Sequence, residues 1–95
     1  MKTAFDLGTI VVTKTIDSLR KSDREFNDCV TEALEKYCRA DWSEMEYEED
    51  KKMNDIALKT GTDRIFATYE TNHGKIYIIT ESDHSVTTIL FPYEY

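Results

Sequence analysis

Histidine, cysteine, glycine and proline are all scarce in this chain, and each shortage narrows its chemistry. The histidines are His73 and His84 and the cysteines Cys29 and Cys38. No C-x-x-C, H-x-x-x-H or H-E-x-x-H spacing joins them, so the common metal-ligand patterns are missing and no metal is expected. Three glycines form neither G-x-G-x-x-G nor a P-loop, which removes the usual phosphate cradles and any expectation of a cofactor. Pro92 is the only proline, and this argues against a loop-built or low-complexity chain. There is no G-x-S-x-G and no Cys–His pair with an orienting partner. Ser85 follows His84 directly, and neighbours on a strand point to opposite faces. No apolar run approaches the ~18 residues that a membrane span needs, and no charged-then-apolar leader opens the chain. The expectation is a cytoplasmic, non-membrane protein with reduced thiols. On one helix Cys29 and Cys38 would lie about 14 Å apart, too far for a disulfide.

A basic stripe is missing too. Lys14, Arg20, Lys21 and Arg24 come nearest, and Asp17, Asp23 and Glu25 interrupt them. The 95 residues carry 19 acidic and 12 basic side chains, a formal charge of −7. Phosphate backbones repel such a surface, so no direct nucleic-acid binding is expected. An acidic surface suits solubility or docking onto a basic protein partner. Hydrophobic residues make up 40 %, enough for one core. A chain of this size buries about 65 % of its unfolded surface and has room for a single domain, residues 1–95.

Periodicity then gives the elements. Leu7–Thr15 is β-branched and reads as a strand, with Ile10 and Val12 on one face and Val11 and Thr13 on the other. Ile16–Arg20 reads as a short helical turn. Ser22–Glu25 has capping-box spacing. Behind it, Phe26, Cys29, Val30, Ala33, Leu34, Tyr37 and Cys38 form a 3.6-period stripe, which predicts a helix over 23–39. Both cysteines sit on that stripe as small core hydrophobes. Ser43–Glu46 repeats the capping-box spacing and predicts a second helix to Thr60, ended by Gly61. Its thinner stripe is Met45, Met53, Ile56 and Ala57. Segments 64–71, 75–81 and 86–91 read as strands joined by turns at Asn72–Gly74 and Ser82–Ser85. The expected fold is α+β, in the order β-α-α-β-β-β: a mainly antiparallel four-stranded sheet with two helices on one face.

Two features stand apart from the frame. Glu44, Glu46, Glu48, Glu49 and Asp50 crowd one segment, with Tyr47 inside it and Trp42 just before it. A catalytic acid needs burial to raise its pKa, and these carboxylates read as a solvated helix face, so no enzyme activity is expected. The same residues suit a protein interface of acid rim and aromatic anchors, the other reading being that Trp42 closes the core under the bend between the helices and the acids are only solvated. The tail Phe91–Tyr95 is tyrosine-rich and docks either on the chain's own sheet or on a partner.

The stretch Ile78-Ile79-Thr80-Glu81-Ser82-Asp83-His84-Ser85-Val86-Thr87-Thr88-Ile89-Leu90-Phe91-Pro92 resembles the C-terminal signature of a family of short proteins. They are carried on plasmids and conjugative elements of gut and other Gram-positive bacteria. That signature runs roughly I-I-T-E-A-D-R-S-x-T-T-x-L-L-P, with His84 here in place of its usual arginine. Leu7-Gly8, Asp41-Trp42 and Asn54-Asp55-x-Ala57-Leu58 resemble earlier pieces of the same family. The resemblance implies a mobile-element accessory and brings no catalytic residues. The expected function is a non-enzymatic inhibitor of a host defence nuclease, of anti-CRISPR or anti-restriction type. Trp42, Glu44, Glu46, Tyr47, Glu48, Glu49 and Asp50 would bind the partner's basic surface. The alternative is a structural or regulatory accessory of plasmid maintenance or conjugation, self-associating as a homodimer.

Overall fold

The computed structural model describes residues 4–61 and 63–95. In chain order the elements are β1 (Thr9–Val12), α1 (Lys14–Ser22), α2 (Arg24–Cys38), α3 (Glu48–Thr60), β2 (Ile65–Thr71), β3 (Gly74–Thr80) and β4 (Val86–Leu90), then a 3-10 turn at Pro92–Glu94. The class is α+β as expected, with two differences. Among the described residues there are three α-helices rather than two. The sheet is mixed: its order is β1-β4-β3-β2, with β1 parallel to β4 and the other neighbours antiparallel.

The extra helix is α1, which grows from the expected turn because both ends are capped. Thr13 Oγ1 accepts from the Ile16 amide at 3.3 Å, and the Asp23 amide closes the far end on the Leu19 carbonyl at 2.8 Å. Ser22 is therefore the last residue of α1 and not the cap of α2; its hydroxyl donates to the Ser18 carbonyl. Asp23 caps α2 instead, accepting from the Glu25 and Phe26 amides. The α2 stripe then behaves as the period requires. Phe26, Val30, Ala33, Tyr37 and Cys38 are buried, while Cys29 and Leu34 sit at its margin.

The second expected capping box, at Ser43, does not start a helix. Asp41 Oδ1 accepts from both the Ser43 amide and the Ser43 hydroxyl, and this local turn holds residues 41–47 irregular. Helix α3 starts only at Glu48 and ends as expected at Gly61, left-handed at φ +67°. Its buried face is Asn54 and Ala57, with Leu58 beside them, whereas Met53 and Ile56 are exposed. Met45 is buried, but from the irregular segment.

The meander lies close to its expected bounds. Ile65, Ala67 and Tyr69 face the core, and β2 meets β3 with Thr71 opposite Gly74. The first strand is shorter than expected and lies at the sheet edge, where Ile10 is 45 % and Val11 40 % exposed. Gly8 leads into it at φ +63°, where a Cβ would come within 2.3 Å of the Ser85 carbonyl oxygen. Only glycine lets the two backbones meet there.

A run of hydroxyls crosses the core. Thr87 Oγ1 donates to the Leu7 carbonyl at 2.6 Å. Its proton being used, Thr80 donates to Thr87 across 2.8 Å and Tyr37 to Thr80 across 2.6 Å, with the Ile65 carbonyl a longer acceptor for the same phenol at 3.3 Å. All three side chains are fully buried. Burial pushes the Tyr37 phenol well above its ordinary pKa, which keeps it a donor.

The tail docks on the chain's own fold. Glu94 accepts from the Thr13 hydroxyl and the Phe91 amide, both at 2.9 Å. The Tyr95 ring lies 6.0 Å from Tyr77, with Arg64 5.4 Å over its face.

Two outcomes follow. Thr80→Val breaks the hydroxyl run at its centre and leaves Thr87 without its donor. It should cost about 2–3 kcal/mol, more than Tyr37→Phe, in urea unfolding with an unchanged slope. The second concerns Asp23, whose Oδ2 meets His73 Nε2 at 2.7 Å and Asn72 Nδ2 at 3.0 Å. The His73 hydrogen bond is the first cause holding the Asp23 carboxyl below its ordinary 3.8. Its contribution to stability is thus present above that ordinary value and lost as pH falls through the lower folded one. In His73→Ala the Asp23 pKa should rise towards 3.8 in an NMR titration of its carboxyl carbon, with less acid-dependent loss of stability.

Candidate partner-binding surface

The acidic cluster spans two kinds of backbone. Glu44 and Glu46 belong to the irregular segment that Asp41 holds out of helix, and Glu48, Glu49 and Asp50 form the first turn of α3. Tyr47 takes the N-cap position and makes no side-chain capping bond. The three carboxylates behind it compensate, because negative charge is favoured at the positive helix end.

Not all five acids are free to meet a partner. Lys36 Nζ bonds Glu44, with Glu32 at 3.6 Å on its other side. The hydrogen bond to Glu44 is the main cause raising the Lys36 pKa. Glu48 pairs with Lys51 at 3.1 Å. Among the described residues Glu46, Glu49 and Asp50 have no ion pair, and neither has the nearby Glu70. The acids of this surface outside any ion pair are thus Glu46, Glu49, Asp50 and Glu70, with Lys75 the cation that shares clefts with Glu46, Asp50 and Glu70.

The two aromatic anchors part company. Tyr47 is 63 % exposed and stands where an anchor should. Trp42 is 4 % exposed and belongs to the core, which corrects its expected role as a surface anchor. Its ring lies 6.3 Å from both Phe5 and Tyr37, and its Nε1 donates to Asp55 at 3.2 Å. A buried indole needs such an acceptor, and α3 supplies one.

The cluster borders a trough that sequence spacing did not show. Glu44, Glu46, Thr68, Tyr69, Glu70 and Lys75 line a cleft of about 240 Å³. Through Glu46, Thr68 and Lys75 it continues into a cleft of about 150 Å³ that reaches Tyr47, Asp50, Phe66 and Tyr77. Through Glu44, Tyr69 and Glu70 it continues into one of about 80 Å³ against Cys29 and Lys36. Cross-strand register sets Glu70 opposite Lys75 and Thr68 opposite Tyr77. The sequence signal that could have found this wall is the alternation of β2, which puts Phe66 and Thr68 on the face away from Ile65 and Tyr69.

The histidines stay apart from this surface. His73 holds Asp23 and packs edge-on to Phe26 at 5.1 Å. His84, left-handed at φ +57°, bonds the Asp6 carbonyl through Nδ1 at 2.8 Å. In the same turn Asp83 accepts from the Ser85 amide and hydroxyl, so the signature-like stretch here is bound into the joint between β4 and the residues before β1. Among the described residues no group of three or more His, Cys, Asp and Glu is placed to hold a metal ion. Among them, too, no helix is long and apolar enough to cross a membrane. Compared with protein-family models, with curated proteins and with solved structures, the chain matches none.

Proposed function

We propose that the protein is a non-enzymatic binding protein of a mobile element that docks onto the basic, nucleic-acid-handling surface of a host defence nuclease and inhibits it. The observation that carries this reading is the acid of Glu46, Glu49 and Asp50, none of them in an ion pair among the described residues, beside the exposed ring of Tyr47, with Glu46, Tyr47 and Asp50 lining an open cleft. Nucleases present basic channels to nucleic acid, and a dense negative surface competes for such a channel. Glu44 and Glu48 contribute less, since Lys36 and Lys51 already hold them. The likeness to short plasmid-borne proteins supplies the setting.

The test is capture of a tagged protein from a nuclease-treated host lysate carrying active restriction and CRISPR systems. A defence nuclease should be enriched and then lost in ~1 M salt, where charges are screened within ~3 Å. The triple variant Glu46→Lys, Glu49→Lys, Asp50→Lys should lose capture and lose inhibition of DNA cleavage by the purified nuclease. Unchanged capture by that variant would rule the acidic mechanism out.

A second reading, a self-associating accessory of plasmid maintenance or conjugation, is favoured by β1. This short edge strand exposes Ile10 and Val11, and an uncovered edge is a template for pairing with a second copy. On this reading sedimentation gives a dimer that Val11→Lys returns to monomer; a strict monomer at high concentration removes it.

A further inference from the structure

The free main chain of β2 runs along the floor of the trough. β2 is the outer strand of the sheet opposite β1. In an antiparallel pair, alternate residues turn both N–H and C=O towards the neighbour, and the residues between turn both away. The α3 side chain Asn54 shows which set faces out on β2. It is 3 % exposed, its Nδ2 donates to the Phe66 carbonyl at 2.7 Å, and its Oδ1 accepts from the Phe66 amide at 3.2 Å. Asn54 thus occupies the place of an added strand at Phe66. By the same parity Thr68 and Glu70 also turn their N–H and C=O outwards, and both line the clefts.

We propose that Thr68 and Glu70 form a strand-addition site that takes an extended, lysine- or arginine-bearing segment of a protein partner. The proposal rests on the basic-partner reading above and adds how such a partner is held. Strand addition gives affinity through main-chain bonds and selectivity through alternate side chains. Asn54 blocks the edge at Phe66 and so fixes the register to Thr68 and Glu70. One set of side chains of the added segment points to the outer face of the sheet, where Phe66 and Tyr77 pack edge to face at 4.7 Å. The basic residues meet Glu46 and Glu70, neither of which makes an ion pair among the described residues, in a trough lined by Glu32, Glu44, Glu46, Asp50 and Glu70 against Lys36 and Lys75. Of the cations lining the trough, Lys36 is held by Glu32 and Glu44, and Lys75 lies cross-strand from Glu70. The charge balance thus selects a basic segment and repels an acidic one.

The test uses the whole protein and two probes. One is a short acetylated peptide of alternating lysine and threonine. The other is the same peptide with alternate amides N-methylated, which keeps its charge and removes the donors an added strand needs. In NMR titrations the first peptide should shift the Thr68 and Glu70 amides and slow their hydrogen exchange. The N-methylated peptide should bind about tenfold more weakly or worse. Equal binding of both, with binding still lost in Glu46→Lys, would overturn strand addition and leave the basic-partner reading standing. Binding of neither peptide would overturn both.

Discussion

The run of buried hydroxyls from Tyr37 through Thr80 and Thr87 to the Leu7 carbonyl is the constraint on which the rest of the fold depends. It joins α2, the β3–β4 hairpin and the approach to β1, three pieces that are far apart in sequence. Because the last acceptor is a carbonyl, the direction of every bond is set. None of the three hydroxyls can be removed without taking a hydrogen bond from a fully buried neighbour. Hydrophobic burial alone would tolerate a slip of α2 along the sheet. The hydroxyl run does not, since each oxygen meets its partner only in one register.

The sheet presents two edges, and the chain treats them differently. At β1 two apolar side chains are left outside a short parallel strand. At β2 a buried amide from α3 covers Phe66, and acids flank the residues beyond it. Charge on an edge normally discourages pairing with like sequences, which protects a soluble protein from aggregation. The same charge becomes an attraction when the incoming strand carries the opposite sign. Both proposed interactions therefore draw on one property of a four-stranded open sheet, that it must end somewhere.

Much of the frame was legible because it rests on local periodicity. The α2 stripe, the β2–β3 alternation and Gly61 all follow from residues within a few positions of one another. The errors came where a distant or competing partner decides. Ser22 and Ser43 both have capping-box spacing, but Asp23 outcompetes one and Asp41 folds back on the other. Of the stripe Met45, Met53, Ile56 and Ala57, Ala57 is buried on α3 and Met45 from the preceding segment, whereas Met53 and Ile56 face solvent and polar Asn54 is buried because the β2 edge gives it two hydrogen bonds. Trp42 suits either an anchor or a core residue in sequence, and an acceptor at Asp55 helps to hold it in the core. The acids themselves were legible as a run. Which of them are spent on Lys36 and Lys51, and that Glu70 joins them, depends on packing that no spacing displays.

The parallel pairing of β1 with β4 also has a meaning in time. A ribosome delivers the chain from its first residue, so β1 emerges long before the strand it must pair with. Residues 9–12 wait with two bare β-branched side chains until residues 86–90 have been made. α1 and α2 can coil at once, since their hydrogen bonds are local. During synthesis the sheet cannot begin at its first strand, because the neighbour of β1 is β4, and the Leu7–Thr87 bond spans a sequence separation of 80. A nascent chain that ends before residue 86 thus holds α1, α2, α3 and the β2–β3 hairpin, but no partner strand for β1.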